Sequence, residues 1–442
     1  MSSVHINVHH VTRVEGHGNI VLNTNNGKIE QLRWEVPESP RFFEAMLRGR
    51  HYDDVPHIAS RICGICSIAH STASILATEA ALCIEVSEQT WIMRKLLFNA
   101  EMLESHVLHA YCLAAPDFLG VKSVFPLVKT HKDVVLRAMR LKRLAYRLAE
   151  ILAGRKTHPI SLVVGGFAKL PDPDELAAIK GALSDSLADL DATVELFATL
   201  SFPDFERETE YIALQDETEY AFISGKIASS DSGTAPVSNY LEVTNEFCVP
   251  HSTAKYTKNN RDAYMVGALA RFNLNHEQLY PRAKDAAVTL GLRAPCHNPY
   301  MITAAQVVEA VHATEDSIQL IDKLLERGLK EEAIQSDVTA GQGVGAVEAP
   351  RGILFHDYTY DENGILTKAN CIIPTNQNHN NIQKDMEALV PTILNHRSED
   401  EIRQTLEMLV RAYDPCISCS AHLLRVTFTN DACLCRDGPR KG

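Results

Sequence analysis

Two cysteine pairs stand near opposite ends of the chain: Cys63 and Cys66 in SRICGICSIAH (60–70), and Cys416 and Cys419 in DPCISCSAH (414–422). A Cys-x-x-Cys contributes two thiolates, whereas a closed soft-metal site takes about four ligands. No ligand-rich motif stands beside either pair. A fold that uses them must therefore bring the two ends of the polypeptide together. Four soft thiolates suit zinc, an iron–sulfur cluster, copper(I) or nickel. Ribbon-type zinc sites keep their pairs within roughly 15–20 residues, because they staple a small fold. Here nearly the whole chain lies between the pairs. Spacing alone leaves a structural zinc, an iron–sulfur cluster and a catalytic metal site open.

The chain needs no staple. Its 442 residues suffice for one large core or for two to three ordinary domains. Hydrophobic residues make up 45 % and charged residues 22 %, as in soluble globular proteins. A formal charge of −13 argues against nucleic acid or an acidic membrane as the main partner. No apolar run reaches membrane-spanning length, and the first residues show no signal peptide. Eleven cysteines without a secretion signal point to a reducing, cytoplasmic setting, where paired cysteines serve as ligands.

The expected fold class is mainly α with small β elements. The first 38 residues alternate in β fashion, in HINVHHV, NIVLNT, the turn NNG and KIEQLRWEV. PRFFEAMLRG reads as a short helix ending at Gly49. A longer helix is expected from about Ser60, which would set Cys63, Cys66 and His70 on one face. Further helical periodicity covers 87–115, 132–153, 171–200, 276–290, 302–327 and 379–412, and residues 202–260 read as loops with short strands. Residues 343–374 read as one hairpin about the turn DENG. With no repeat or obvious linker, one domain over 1–422 is expected, followed by an extension over 423–442.

The flanks of the cysteines narrow the choice. TRVEGHG (12–18), SRICGICSIAH, EAPRG (348–352) and DPCISCSAH, in that order, resemble the signature blocks of the nickel–iron hydrogenase large subunit. The resemblance runs from end to end and includes PRFFEAMLRGR, NAEMLESHVLHAY, VGGFAKLP and IIPT. It is greatest to alpha subunits of cytoplasmic, multi-subunit, NAD(P)-linked enzymes of the sulfhydrogenase type. Relatives serving heterodisulfide reductase or a deazaflavin are the near alternatives. A complex-I-type quinone-binding subunit, which lacks the cysteines, is rejected by the four present. A structural zinc protein or scaffold is the rival from another class.

The resemblance implies reversible, heterolytic cleavage of H2 at nickel bound by Cys63, Cys66, Cys416 and Cys419. Cys63 and Cys416 would be terminal. Cys66 and Cys419 would bridge to an iron carrying CO and two cyanides. Cys416 would take the proton and pass it to Glu15. Arg351, preceded by Pro350 and oriented by Asp414, would lie over the metals, Thr375 would donate to a cyanide, and His70 would donate to the Cys66 sulfur. Glu44, the main-chain carbonyl near Cys371 and His422 correspond to a magnesium (or iron) site. Ser105 stands where periplasmic relatives carry an aspartate, so that residue's role is not transferred. The implied partners are an iron–sulfur small subunit, flavin and iron–sulfur NAD(P)-reductase subunits, a maturation protease and nickel-insertion proteins. The protease would remove the tail after His422, in which Cys433 and Cys435 are read as part of a solvated basic terminus. Cys83, Cys112, Cys248, Cys296 and Cys371 are expected to be small core residues.

Overall fold

Asn26 and Gly27 both adopt positive φ, 49° and 78°, the backbone that a tight hairpin turn demands. They join strands Asn19–Asn25 and Lys28–Glu35, and His5–Val8 completes an antiparallel sheet in sequence order. Its alternating inner residues Ile20, Leu22 and Trp34 are fully buried, as the period-2 pattern requires. The computed structural model describes residues 4–334 and 338–421. The expectations for His422, Cys433, Cys435 and the tail lie outside the described residues.

Helices Glu88–Leu108, Lys132–Ala153, Pro173–Ala198 and Ile302–Arg327 pack in a closed ring of neighbours, a four-helix bundle. Each begins or ends as its sequence specifies. Ser87 Oγ caps the first by accepting from Thr90 N at 3.1 Å, and Gly154 closes the second at φ 73°. Glu88–Leu108 is buried along almost its whole length because two bundle helices and the site enclose it. Among the described residues, no helix is long and apolar enough to cross a membrane.

The C-terminal β region differs from the single hairpin expected. Strands Gly341–Ala349, Gly352–Tyr360 and Leu366–Ile372 form a three-stranded antiparallel sheet with two turns. Ala349 pairs with Gly352, so Pro350 and Arg351 form a two-residue tip inside what reads as continuous strand. Helix Ser67–Leu82 lies flush on this sheet. A Cβ at Gly345 would stand 2.2 Å from Ala73 O and 2.6 Å from Ala77 N, both backbone atoms that cannot step aside. Gly345→Val is therefore expected to destabilise the chain by about 3 kcal/mol or more, the upper range for overpacking. A thermal melt checks this, and an unchanged melting temperature contradicts the flush packing.

Two further expectations are corrected. The helix begins at Ser67, not near Ser60: Ser60–Ile62 form a 3₁₀ turn and Cys63 is extended at φ −141°, ψ 139°. Cys63 and Cys66 thus sit on the loop before the helix, with Cys66 at its N-cap, instead of on a helical face with His70. Cys83 and Cys248 are exposed, not core, and Cys112 and Cys296 are only partly buried; Cys371 is buried as expected. Cys83 occupies a left-handed helix C-cap at φ 56°, which carries its side chain away from the core.

Candidate metal centre

The two ends of the chain meet at the second cysteine loop. Glu15 forms a parallel bridge with Cys416, and Ile417 N donates to Glu15 O at 2.9 Å. Gly16 makes this approach possible: at φ 84°, a Cβ there would stand 2.7 Å from Ser418 N. On the other side Arg41 joins the two cysteine loops. Its guanidinium donates to Ser418 O at 2.7 Å and to Ile62 O at 2.5 Å. Arg41 lies in a block that carried the resemblance, but nothing in its sequence context marked it as a clamp.

Behind the loop, His379 is held neutral, its pKa lowered to about 3 by burial. Trp34 Nε1, which can only donate, bonds His379 Nδ1 at 2.9 Å. The ring proton is therefore on Nε2, which donates to Ser420 Oγ at 2.9 Å. The N-terminal sheet is thereby bonded, through helix Pro374–Ile393, to the residue after Cys419.

Held this way, the sulfurs of Cys63, Cys66, Cys416 and Cys419 all lie within 4.8 Å of one another, the one such cluster among the described residues. Cys63 Sγ and Cys416 Sγ are 3.6 Å apart, with no disulfide formed. All four residues are at most 5 % exposed. Burial opposes ionisation of Cys63, but bonds from Cys416, Cys419 and Cys66 outweigh it and hold its pKa well below the ordinary thiol value. Bonds to Cys419, Cys63 and Cys66 push Cys416 the other way, well above it. The pocket on its own accommodates one negative charge more readily than four. Four thiolates there call for compensating cations, and all-sulfur donors select soft or borderline metals such as nickel. The residues fit that group.

Arg351 reaches this pocket from the sheet tip. Its Nε donates to Asp414 O at 2.6 Å and its Nη2 to Asp414 Oδ1 at 2.9 Å. Burial works against the guanidinium, but Asp414 and the sulfurs of Cys416, Cys66 and Cys63 outweigh it and raise its pKa well above the usual value. Nη1 points to Ser105 Oγ at 3.5 Å. Cys416 Sγ donates to Glu15 Oε2 at 3.2 Å. Glu15 does not pair with Arg13; that guanidinium bonds Asp117, which Arg411 also holds. Thr375 Oγ1 accepts from Cys416 N at 3.1 Å.

His70 follows the first cysteine loop. Its backbone N donates to Cys66 O at 3.1 Å, and its Nδ1 is 3.2 Å from Nε2 of His356, a neighbour that the sequence did not single out. Glu44 is buried, and its Oε1 accepts from the Cys371 backbone N at 2.8 Å, so the two residues are joined through the amide and not through the carbonyl that was expected to serve. Ala421 O accepts from Arg41 N at 2.9 Å, close to Glu44 in the chain.

This geometry has counterparts among known proteins. A family profile described as nickel-dependent hydrogenase matches residues 41–134 and 252–422, and one described as HoxL-like matches 5–39. The chain is 33 % identical over 423 residues to the alpha chain of sulfhydrogenase 1 of Pyrococcus furiosus, covering 95 % of this chain and 98 % of the relative. It is 34 % identical over 417 residues to the alpha chain of sulfhydrogenase 2 of the same organism, covering 94 % and 98 %. A component of the F420-non-reducing hydrogenase of Methanothermobacter marburgensis is 30 % identical over 449 residues, with 94 % of each chain covered. Among solved structures, an NAD+-reducing NiFe-hydrogenase in the H2-reduced state superposes with a TM-score of 0.83 at 25 % identity, covering 95 % of this chain and 99 % of that one. The Dm. baculatum NiFeSe-hydrogenase shares the fold, with a TM-score of 0.73 at 24 % identity over 95 % of this chain and 100 % of that one. The chain belongs to the nickel-dependent hydrogenase family, as its large, catalytic subunit.

Proposed function

We propose that this chain is the H2-splitting subunit of a cytoplasmic, multi-subunit nickel–iron hydrogenase whose electrons pass to an iron–sulfur small subunit, then on to NAD(P). The convergence of four buried sulfurs from both ends of the chain, with a carboxylate and a guanidinium directed at them, carries this reading. The NAD(P) assignment draws support from the likeness to an NAD+-reducing enzyme and from the higher identity to the sulfhydrogenase alpha chains than to the F420-non-reducing relative.

Cys63 and Cys416 would hold nickel, and Cys66 and Cys419 would hold both nickel and iron. A nickel–iron pair with CO and cyanide ligands would, when bound there, acidify H2 and take up its two electrons, releasing its two protons in turn. Cys416 accepts one proton, and the 3.2 Å contact passes it to Glu15. Ser418 N donates to that same Oε2 at 3.0 Å and so orients the Glu15 carboxyl toward the Cys416 sulfur. Arg351 presents its charge to the four-sulfur pocket, where it would face the ligands of a bound iron, with Pro350 fixing the approach and Asp414 fixing the fork. Thr375 steadies Cys416 and would donate to a cyanide on a bound iron, while His70 would tune the Cys66 sulfur. Glu44, the Cys371 carbonyl and His422 would hold a magnesium-type ion. The partner set comprises the iron–sulfur and flavin NAD(P)-reductase subunits, a maturation protease acting after His422 and nickel-insertion proteins.

Two measurements test this. The purified complex is expected to reduce NAD(P) with H2; turnover confined to another acceptor would overturn the NAD(P) assignment. Arg351→Lys is expected to retain nickel and iron while turnover falls about 10- to 100-fold, because an ammonium cannot reproduce the fork. Wild-type turnover would remove Arg351 from the mechanism.

A further inference from the structure

Arg271 is fully buried and takes no part in the chemistry proposed for the four sulfurs. It sits in the first turn of helix Ala268–Asn275, whose N-cap is Gly267. All five of its donors are engaged. Nε and Nη2 hold Glu309 at 2.7 and 2.6 Å, and Nη1 holds Glu348 Oε2 at 2.9 Å. The remaining two contacts go to backbone: Nη1 to Ala349 O and Nη2 to Pro350 O, each at 3.0 Å. Those two carbonyls immediately precede Arg351.

The same helix start also packs directly against the tip. A Cβ at Gly267 would stand 3.0 Å from Arg351 O, and one at Gly352 would stand 2.8 Å from Gly267 N. The tip is thus held by residues 267–271 through the carbonyls of Ala349 and Pro350 and through close packing against Arg351 O and Gly352. Two buried carboxylates hold the gripping guanidinium in turn. Burial raises both, yet Arg271 with His106 brings Glu309 down to about 2, whereas Glu348 stays up at about 7. His106 Nε2 meets Glu309 Oε2 at 2.8 Å and is the chain neighbour of Ser105, which Arg351 Nη1 faces. The arrangement joins the bundle helices to the sheet tip.

We infer that Arg271 is a positioning residue for H2 turnover: by clamping the carbonyls of Ala349 and Pro350 it fixes where Arg351 enters the four-sulfur pocket. This rests on the proposed role of Arg351. Arg351 makes its bonds to Asp414 from a two-residue turn, so a small rotation of the 350–351 peptide carries the guanidinium away from the metals. Lysine at 271 keeps one charge but cannot hold two carboxylates and two carbonyls at once.

The test uses the intact, metal-loaded complex with Arg271→Lys and Arg351→Lys side by side. For Arg271→Lys, nickel and iron per chain and the KM for H2 are expected to stay at wild-type values. Turnover is expected to fall about 10- to 100-fold, the cost of a misplacement near 1 Å. Its cyanide infrared bands are expected to move in the same direction as those of Arg351→Lys, which loss of stability alone would not produce. Full metal content with wild-type turnover and bands overturns the inference. An unaffected Arg351→Lys instead sinks the role of Arg351, so the two failures are told apart. Should Arg271→Lys not accumulate with its metals, Glu348→Gln carries the test, since it retains Arg271 while weakening the Nη1 contact. Displaced bands with lower turnover support the inference, and unchanged bands and turnover overturn it.

Discussion

Cys416→Ser is expected to yield a folded chain that assembles without nickel and shows no H2 turnover above background. The side chain is nearly isosteric, and its loss removes only weak sulfur contacts within the buried cluster, so the folding cost is on the order of 1 kcal/mol. Metal binding is another matter. A serine hydroxyl does not ionise at neutral pH and offers a hard oxygen where a soft thiolate is needed. The variant also lacks the sulfur that donates to Glu15 Oε2, so the proton loses its first acceptor along with the metal. Metal analysis and circular dichroism of the purified variant check this. Retained nickel with measurable turnover would contradict the assignment of Cys416 as both ligand and proton acceptor.

Glu15→Gln separates the two halves of the chemistry. The amide can still accept from Ser418 N, so the loop and all four sulfurs stay in place. It cannot take a proton from Cys416. Nickel and iron are therefore expected at wild-type levels while turnover falls about 10²- to 10⁴-fold, the range for losing a positioned acid–base group. H2 can still be split and re-formed inside the pocket. Conversion of para- to orthohydrogen is accordingly expected to persist while isotope exchange with solvent deuterium collapses. Equal loss of both would mean that Glu15 supports the metals instead of moving protons. Retention of both would mean that protons leave by another route.

Much of this site is legible in the sequence. The cysteine pairs require the chain ends to converge, whereas the contact of Glu15 with Cys416 is implied only by the resemblance that TRVEGHG carries. The N-terminal sheet is readable because its buried residues alternate strictly, from Ile20 to Leu22, and because Asn-Gly admits a tight turn. The start of the helix at Ser67 is not. SRICGICSIAH has helical periodicity throughout, but Cys66 N turns back to donate to Cys63 Sγ at 3.1 Å, and this local bond replaces a helical one.

The tip at Pro350–Arg351 is hidden for a related reason. Both flanking strands are buried on either side of the tip, charged Glu348 included, so no alternation of exposed and buried residues marks where one strand ends. The clamp around Arg271 is harder still to read. Glu309 lies 38 residues away and Glu348 77 residues away, and each alone reads as a solvated charge. Only tertiary packing shows that three ionisable groups share one dry cluster. Arg41 escapes notice likewise, because its partners are main-chain carbonyls, which any sequence provides.

The most direct test of the central claim is an anomalous-difference map of the purified complex, collected at the nickel and iron absorption edges. The account predicts a nickel peak enclosed by the sulfurs of Cys63, Cys66, Cys416 and Cys419, with one iron peak beside it on the side of Cys66 and Cys419. A pocket showing anomalous signal only at the zinc edge, or nickel bound elsewhere on the chain, would contradict it.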